Sequence, residues 1–301
     1  MICWYLASGR PLSDVTERLK QYNMQIISIN DIANVERTDD DAVRETLAET
    51  EKLSAVAQQL GCDCIQLVPL LALEGRPEDE VIELTAKKIA RICDIGAKYG
   101  VRFQLEPVGW SPINSLRLTQ KLIRAVGRDN FGTVIDFFHL FVGGGTTPDD
   151  VRHFDPSRIY HIHFCDCRLP KEGEVFDETI LRGMYAGEGE VPIEEWVQAV
   201  KDTGYDGWWS YELISAHHWE EDVRGRGAAM QRRARPVSGL KRRPSLFLTM
   251  PPSRISLIRI YHNDNRRPRK RGRRLLFSSC KLCHPGHAAY CGRTAPGHCC
   301  I

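Results

Sequence analysis

No apolar run in this 301-residue chain approaches the roughly 18–20 residues that a transmembrane helix needs. The opening stretch from Met1 to Leu6 is apolar but stops too soon for a signal-peptide core with its cleavage site. No Gly-x-Gly-x-x-Gly turn follows the first strand candidate, which argues against a dinucleotide-binding fold. The body, residues 1–230, shows no disulfide framework either. Cys3, Cys62, Cys64, Cys93, Cys165 and Cys167 sit inside apolar stretches rather than in a loop-rich scaffold, so reduced thiols and a cytoplasmic location are expected.

What is present divides in two. The chain is 42% hydrophobic and 27% charged, as soluble globular proteins are, and it is long enough to bury a substantial core. Its formal charge of +2 hides an asymmetry. Residues 231–301 carry 17 of the 41 Lys and Arg but a single acid, Asp264, which leaves 24 basic and 38 acidic residues for 1–230. The body is therefore near −14 and the tail near +16. The tail mixes Arg, Pro, Ser and Cys without periodicity and is expected to be a disordered extension, non-native by origin. Its Cys280-Lys281-Leu282-Cys283-His284 run is one Cys-x-x-Cys with irregular partners, a weak zinc signal. Its arginines are not interleaved with aromatic rings, which counts against nucleic acid as a partner.

Over residues 1–230 short β-like runs alternate with longer amphipathic stretches. Strands are expected at 2–6, 25–30, 64–69, 102–107, 132–136, 159–164 and 207–213, several of them apolar almost throughout, as strands buried on both faces should be. Helices are expected at 40–60, 77–99, 115–126 and 193–203, with a last one near 217–231. Leu60-Gly61, Tyr99-Gly100 and Thr203-Gly204 read as helix exits into the next strand. Such alternation implies a parallel sheet with helical crossovers. A (β/α)₈ barrel is the expected fold, but it needs eight strands, and only seven are legible. The expectation is thus a barrel over 1–230 that lacks its first strand, followed by a basic tail over 231–301. An open seam would make an inactive barrel a competing reading.

Chemistry concentrates at the ends of the expected strands. Glu106 closes Phe103-Gln104-Leu105-Glu106, Asp136 closes Thr133-Val134-Ile135-Asp136 with His139 three residues on, and Glu212 closes Trp208-Trp209-Ser210-Tyr211-Glu212. His161 and His163 alternate in one strand and so share a face. A single acid closing a strand is ordinarily a helix cap or a solvated loop residue. Three carboxylates and a histidine converging on the mouth of one barrel would repel without a cation, and they suit one divalent metal, Mn²⁺, Mg²⁺, Co²⁺ or Zn²⁺.

The segments Leu105-Glu106-Pro107-Val108-Gly109, Ile135-Asp136-Phe137-Phe138-His139, His161-Ile162-His163-Phe164-Cys165-Asp166, Gly187-Glu188-Gly189-Glu190-Val191-Pro192-Ile193 and Tyr211-Glu212-Leu213 resemble the sugar phosphate isomerase/epimerase family, the xylose-isomerase-like TIM barrels. Arg128-Asp129-Asn130-Phe131-Gly132, Ser28-Ile29-Asn30 and Leu67-Val68-Pro69-Leu70 are similar to its inosose isomerase branch, which serves inositol catabolism. The resemblance covers about residues 1–230. It implies Glu106, Asp136, His163 and Glu212 as metal ligands, His163 being preferred to His161 because Asp166 follows it in a His-x-x-Asp segment. It further implies His139, His161, Asp166 and Arg182 as groups behind the ligands or against the substrate, with Trp110 and Glu188 at the rim.

The implied reaction is an isomerisation or epimerisation of a keto-sugar or keto-inositol. A proton moves between adjacent carbons through an enediolate, with Glu106 and Glu212 as the catalytic pair and the metal as Lewis acid. Proton transfer by such groups contributes about 10²–10⁴-fold. A 3-dehydroshikimate dehydratase-like lyase is the alternative, because the same enolate can expel a hydroxyl. The family's three-metal endonucleases are disfavoured, since the runs at 2–6, 25–30 and 64–69 hold no histidine. The expected partners are a small carbohydrate or cyclitol and, by the family's habit, a second copy of the chain in a homodimer.

Overall fold

Strands that are buried on both faces need cover on both faces, and here a curled parallel sheet and its crossover helices provide it. The computed structural model describes residues 8–215, His218 and the backbone of Ile255–Leu257. The first half runs α1 (Leu12–Gln21), β1 (Ile29–Ala33), α2 (Asp40–Leu60), β2 (Cys64–Val68), α3 (Glu78–Ala97), β3 (Arg102–Leu105) and α4 (Leu116–Val126). Then follow β4 (Phe131–Asp136), α5 (Phe137–Gly143), α6 (Pro148–Arg152) and β5 (Ile159–Phe164). A small excursion comes next, β6 (Asp166–Cys167), α7 (Glu178–Leu181) and β7 (Arg182–Met184), before α8 (Ile193–Asp202) and β8 (Trp208–Tyr211).

The main sheet has the order β1-β2-β3-β4-β5-β8, every neighbouring pair parallel, as a TIM barrel wall requires. A further strand, β9 (Ile255–Leu257), lies parallel to β8 with Ser256 opposite Ser210. It falls in the tail, where the sequence pattern announces no strand. β6 and β7 form a separate antiparallel pair.

Local chemistry sets the helix ends. Asp39 caps α2 by accepting from Ala42 N at 2.9 Å, and Ser115 caps α4 through Leu118 N. Gly61 leaves α2 in the left-handed region at φ 67°, where a side chain would be strained, and Gly204 does the same after α8. These ends agree with the expected helices to within two residues. The second strand is different. It was expected at 25–30 but occupies Ile29–Ala33, because pairing to β2 sets it: Ile29 lies opposite Ile65 and Ile32 opposite Leu67. Buried Asn30 and Asp31 lie inside the strand rather than after it. The strand expected at 2–6 lies outside the described residues, as does the helix near 217–231 apart from His218.

Two apolar clusters fill the space between sheet and helices. One gathers Ile32, Ile65, Leu67, Phe103 and Leu105 with Ile89 and Ile92 of α3. The other gathers Ile135, Phe137, Ile162, Phe164 and Trp209 with Trp196 of α8. The Phe137 and Trp196 rings meet at a tilt of 48° with centroids 5.4 Å apart, which packs α8 against the start of α5. The opposite face of the same strands is polar, and there the site is built.

Candidate metal centre

β3, β4, β5 and β8 are successive neighbours, so their carboxyl ends open side by side. Asp136 pairs with His163 in register, and His163 with Ser210, two residues before Glu212. Glu106 follows β3 and is held in line by its N–H donating to Leu67 O at 3.0 Å. Glu106, Asp136, His163 and Glu212 each direct one ligand atom into a space where all four atoms lie within 4.8 Å of one another. Their exposures are 5, 0, 2 and 1%, so water does not screen the three carboxylates.

That charge needs an answer, and cationic side chains supply part of it. Arg182, fully buried on β7, donates from Nη2 to Asp136 Oδ2 at 2.9 Å and to Glu212 Oε2 at 3.2 Å. Its Nη1 donates to Glu178 Oε1 at 2.8 Å, and the guanidinium stands 4.6 Å from the Phe138 ring centroid. His163 Nδ1 faces Glu212 Oε2 at 3.0 Å and Glu106 Oε1 at 3.2 Å. Burial alone would push the His163 pKa down, but Glu212 and Glu106 outweigh it and hold the value at about 10. Burial and the nearby charge of Glu212 push Glu106 up from the ordinary carboxylate range.

The donor set fits a divalent cation. One imidazole nitrogen and three carboxylate oxygens are ligands that zinc and its neighbours accept. Two ligands at about 2.0–2.2 Å from one ion are separated by about 4.4 Å at most, so the observed spacing calls for only slight contraction. Asp136 has a second duty. Its Oδ1 accepts from His139 N at 3.2 Å and caps α5, so the ligand is anchored by the helix that begins after it.

The other expected site residues are spread around this centre. His139 brings Nε2 to 3.5 Å from Arg182 Nη1, and its ring meets Trp110 edge-on at 5.1 Å. Trp110 is half-buried and meets the Phe176 ring at a tilt with centroids 4.9 Å apart, an aromatic pair that the sequence pattern does not announce. His161 lies one layer deeper, its Nδ1 2.6 Å from Gln104 Oε1. Burial first, then the charge of His163, lowers its pKa to about 3, so it is neutral. Asp166 organises a loop: its carboxylate accepts from the backbone N–H groups of Cys167, Gly187 and Val191 at 2.9–3.0 Å. Glu188 is exposed and accepts from Tyr185 N at 3.2 Å.

Sequence reasoning missed Gln66 and Gln104. Gln66 Nε2 donates to Glu106 Oε2 at 2.7 Å, and Gln104 Nε2 donates to Gln66 Oε1 at 3.0 Å. The signal available was a lone amide in the middle of each apolar strand, and for Gln104 the face that period-two alternation shares with Glu106.

Comparison with known proteins agrees with this architecture. The family model described as xylose isomerase-like TIM barrel matches residues 5–234. The chain belongs to that family. Among curated relatives of this xylose isomerase-like barrel is the inosose isomerase of Bacillus velezensis, 25% identical over 211 residues, covering 69% of this chain and 74% of that one. Among solved structures, the IolI protein with a binding zinc atom superimposes with a TM-score of 0.72 at 22% identity, covering 78% of this chain and 84% of that one. The probable 3-DHS dehydratase AsbF of Bacillus anthracis superimposes with a TM-score of 0.55 at 21% identity, over 67% and 75% of the two chains. At these identities the structural likenesses establish the fold alone.

Proposed function

We propose that this xylose isomerase-like barrel is a metal-dependent isomerase or epimerase of keto-inositols or keto-sugars. The observation that carries the reading is the buried cluster of Glu106, Asp136, His163 and Glu212 at four adjacent strand ends. The curated relative named inosose isomerase supports a cyclitol as the substrate class. A divalent ion held by those four residues supplies Lewis acidity toward a ketone oxygen and its neighbouring hydroxyl.

The chain's own groups do the proton work. One of Glu106 and Glu212 takes the proton from the hydroxyl-bearing carbon next to the ketone; the other, in its protonated form, gives a proton to the former ketone carbon, while the hydroxyl proton passes to the former ketone oxygen. With no ion bound, burial and the charge of Glu212 push Glu106 up from the ordinary carboxylate range, and a bound cation acts in the opposite sense to keep it ionised. Arg182 and His139 stand beside the ligands to hold substrate oxygens, and Trp110 with Phe176 shields the mouth from water. Glu188 and Asp166 shape the rim and its loop.

The test is bound metal per chain, by elemental analysis of the full-length protein, beside turnover of 2-keto-myo-inositol in D₂O followed by NMR. About one metal per chain and deuterium at the carbon next to the carbonyl are expected. Glu106→Gln and Glu212→Gln should lose deuterium incorporation by about 10²-fold or more. A folded wild-type protein without metal, or one whose glutamine variants exchange as fast as wild type, would sink the reading.

A further inference from the structure

Glu106 has two carboxylate oxygens, and the structure treats them differently. Oε1 faces His163 Nδ1 at 3.2 Å, within the ligand cluster. Oε2 accepts from Gln66 Nε2 at 2.7 Å. A carboxylate that holds a metal ion is ionised and can only accept, so in that state Gln66 must present its amide N–H to Oε2, as it does here. Gln66 Oε1 must then accept, and it does so from Gln104 Nε2 at 3.0 Å. Gln104 Oε1 in turn faces His161 Nδ1 at 2.6 Å, so Nδ1 carries the imidazole proton and Nε2 a lone pair. The four side chains make one line of donation, from His161 through Gln104 and Gln66 to Glu106. Sheet register builds it: Gln66 lies opposite Gln104, and Gln104 precedes Glu106 by two residues, as His161 precedes His163.

Gln66, Gln104 and His161 are each no more than 1% exposed. Apolar side chains would fill that space at lower risk, since a buried amide is tolerated only when its hydrogen bonds are made. A line of amides that ends on one oxygen of a candidate ligand has a use beyond packing.

We infer that Gln66, backed by Gln104 and His161, positions Glu106 by occupying Oε2, so that Oε1 alone is offered to the metal. This rests on reading the cluster as a metal centre. The three are positioning residues, which act on the ion only through the carboxylate. Partners of ligating groups in this arrangement change metal affinity by about 10–100-fold when removed.

The experiment measures zinc affinity of the full chain by competition with a chromophoric chelator, and the visible spectrum after loading with cobalt(II). Gln66→Met should bind zinc about 10–100-fold more weakly. Its cobalt spectrum should shift, because Glu106 is free to bring in its second oxygen. Gln104→Met should show a smaller loss, and the double variant should be no weaker than Gln66→Met, since Gln104 acts only through Gln66. Wild-type affinity in Gln66→Met, or losses that add in the double variant, overturns the inference. Should Gln66→Met not fold, Gln104→Met decides on the same two readouts, and an unchanged affinity and spectrum there overturns it equally. Zinc bound alike by wild type and variants removes the positioning role alone; no zinc bound by folded wild type removes the metal centre and the positioning role together.

Discussion

Arg182 shows how the cluster is kept stable without a bound ion. Its guanidinium reaches both Asp136 and Glu212 from a position that water does not enter. Removing one partner from such a buried set leaves carboxylates with no counter-charge, at a cost of about 3–5 kcal/mol. Arg182→Leu should therefore destabilise the metal-free protein by about that much in urea denaturation with a chelator present. Saturating zinc should recover most of the loss, because the ion supplies positive charge to the same carboxylates. A loss that zinc leaves untouched would mean that Arg182 matters only for packing. At this scale the sequence was informative about the four clustered residues, each of which closes an apolar strand or sits at its end. It was uninformative about Gln66 and Gln104, since an amide inside an apolar run carries no mark of its partner. Arg182 was legible only through the family resemblance, and its contact with two of the expected ligands depends on how the β6–β7 pair folds back.

Among the elements, those whose limits are set by local chemistry were legible and those set by pairing were not. α2 begins and ends at the residues expected, because Asp39 and Gly61 are caps that need no tertiary partner. β1 begins four residues later than expected, because in a parallel sheet the neighbouring strand decides which residues pair. α5 escaped notice altogether: its Phe137-Phe138-His139-Leu140 start reads as a continuation of β4. The loop after Glu106 is fitted tightly against this helix. A Cβ on Gly109 would stand 2.8 Å from His139 O and 2.6 Å from a Val142 methyl, too close to both. Gly109→Ala should thus push the loop off α5, with a loss of about 1–3 kcal/mol in stability. Trp110 would move with it, so KM for a cyclitol should rise more than metal affinity falls. Equal stability and KM in the variant would show that the contact is loose.

For the molecule as a whole, the thiols of the core matter, since no disulfide is formed among the described cysteines. Cys62, Cys64, Cys93, Cys165 and Cys167 are all free and buried. Burial pushes Cys62 and Cys93 up from 9.0 to about 12, and Cys165 to about 11. A group whose folded pKa is raised contributes its stability fully below the unfolded value and loses it as pH climbs toward the folded one. Stability should hold up to about pH 9 and then fall, each thiol removing about 1.4 kcal/mol per pH unit. Lys88 opposes this. Burial lowers its pKa from 10.5 to about 8, so stability gains from it between those values. The thiols outnumber it, and denaturation midpoints at pH 8 and pH 10.5 should show a net fall that Cys62→Ala and Cys93→Ala each lessen. A midpoint that does not drop would mean that these thiols ionise in the folded protein. The barrel class was legible in the strand–helix alternation, because burial on both faces leaves a composition that no half-exposed strand has. β9 was not, since three residues amid a basic tail carry too little pattern to stand out.

Asp136 binds two parts of the molecule to one carboxylate. One oxygen lies in the ligand cluster beside Arg182, and the other holds the first turn of α5 through the amide of His139. Whatever enters the cluster thereby sets how often that turn opens. The His139 amide is a built-in gauge of occupancy: its hydrogen should exchange slowly when the carboxylate is gripped from both sides and faster when it is not, so that loading can be read without substrate.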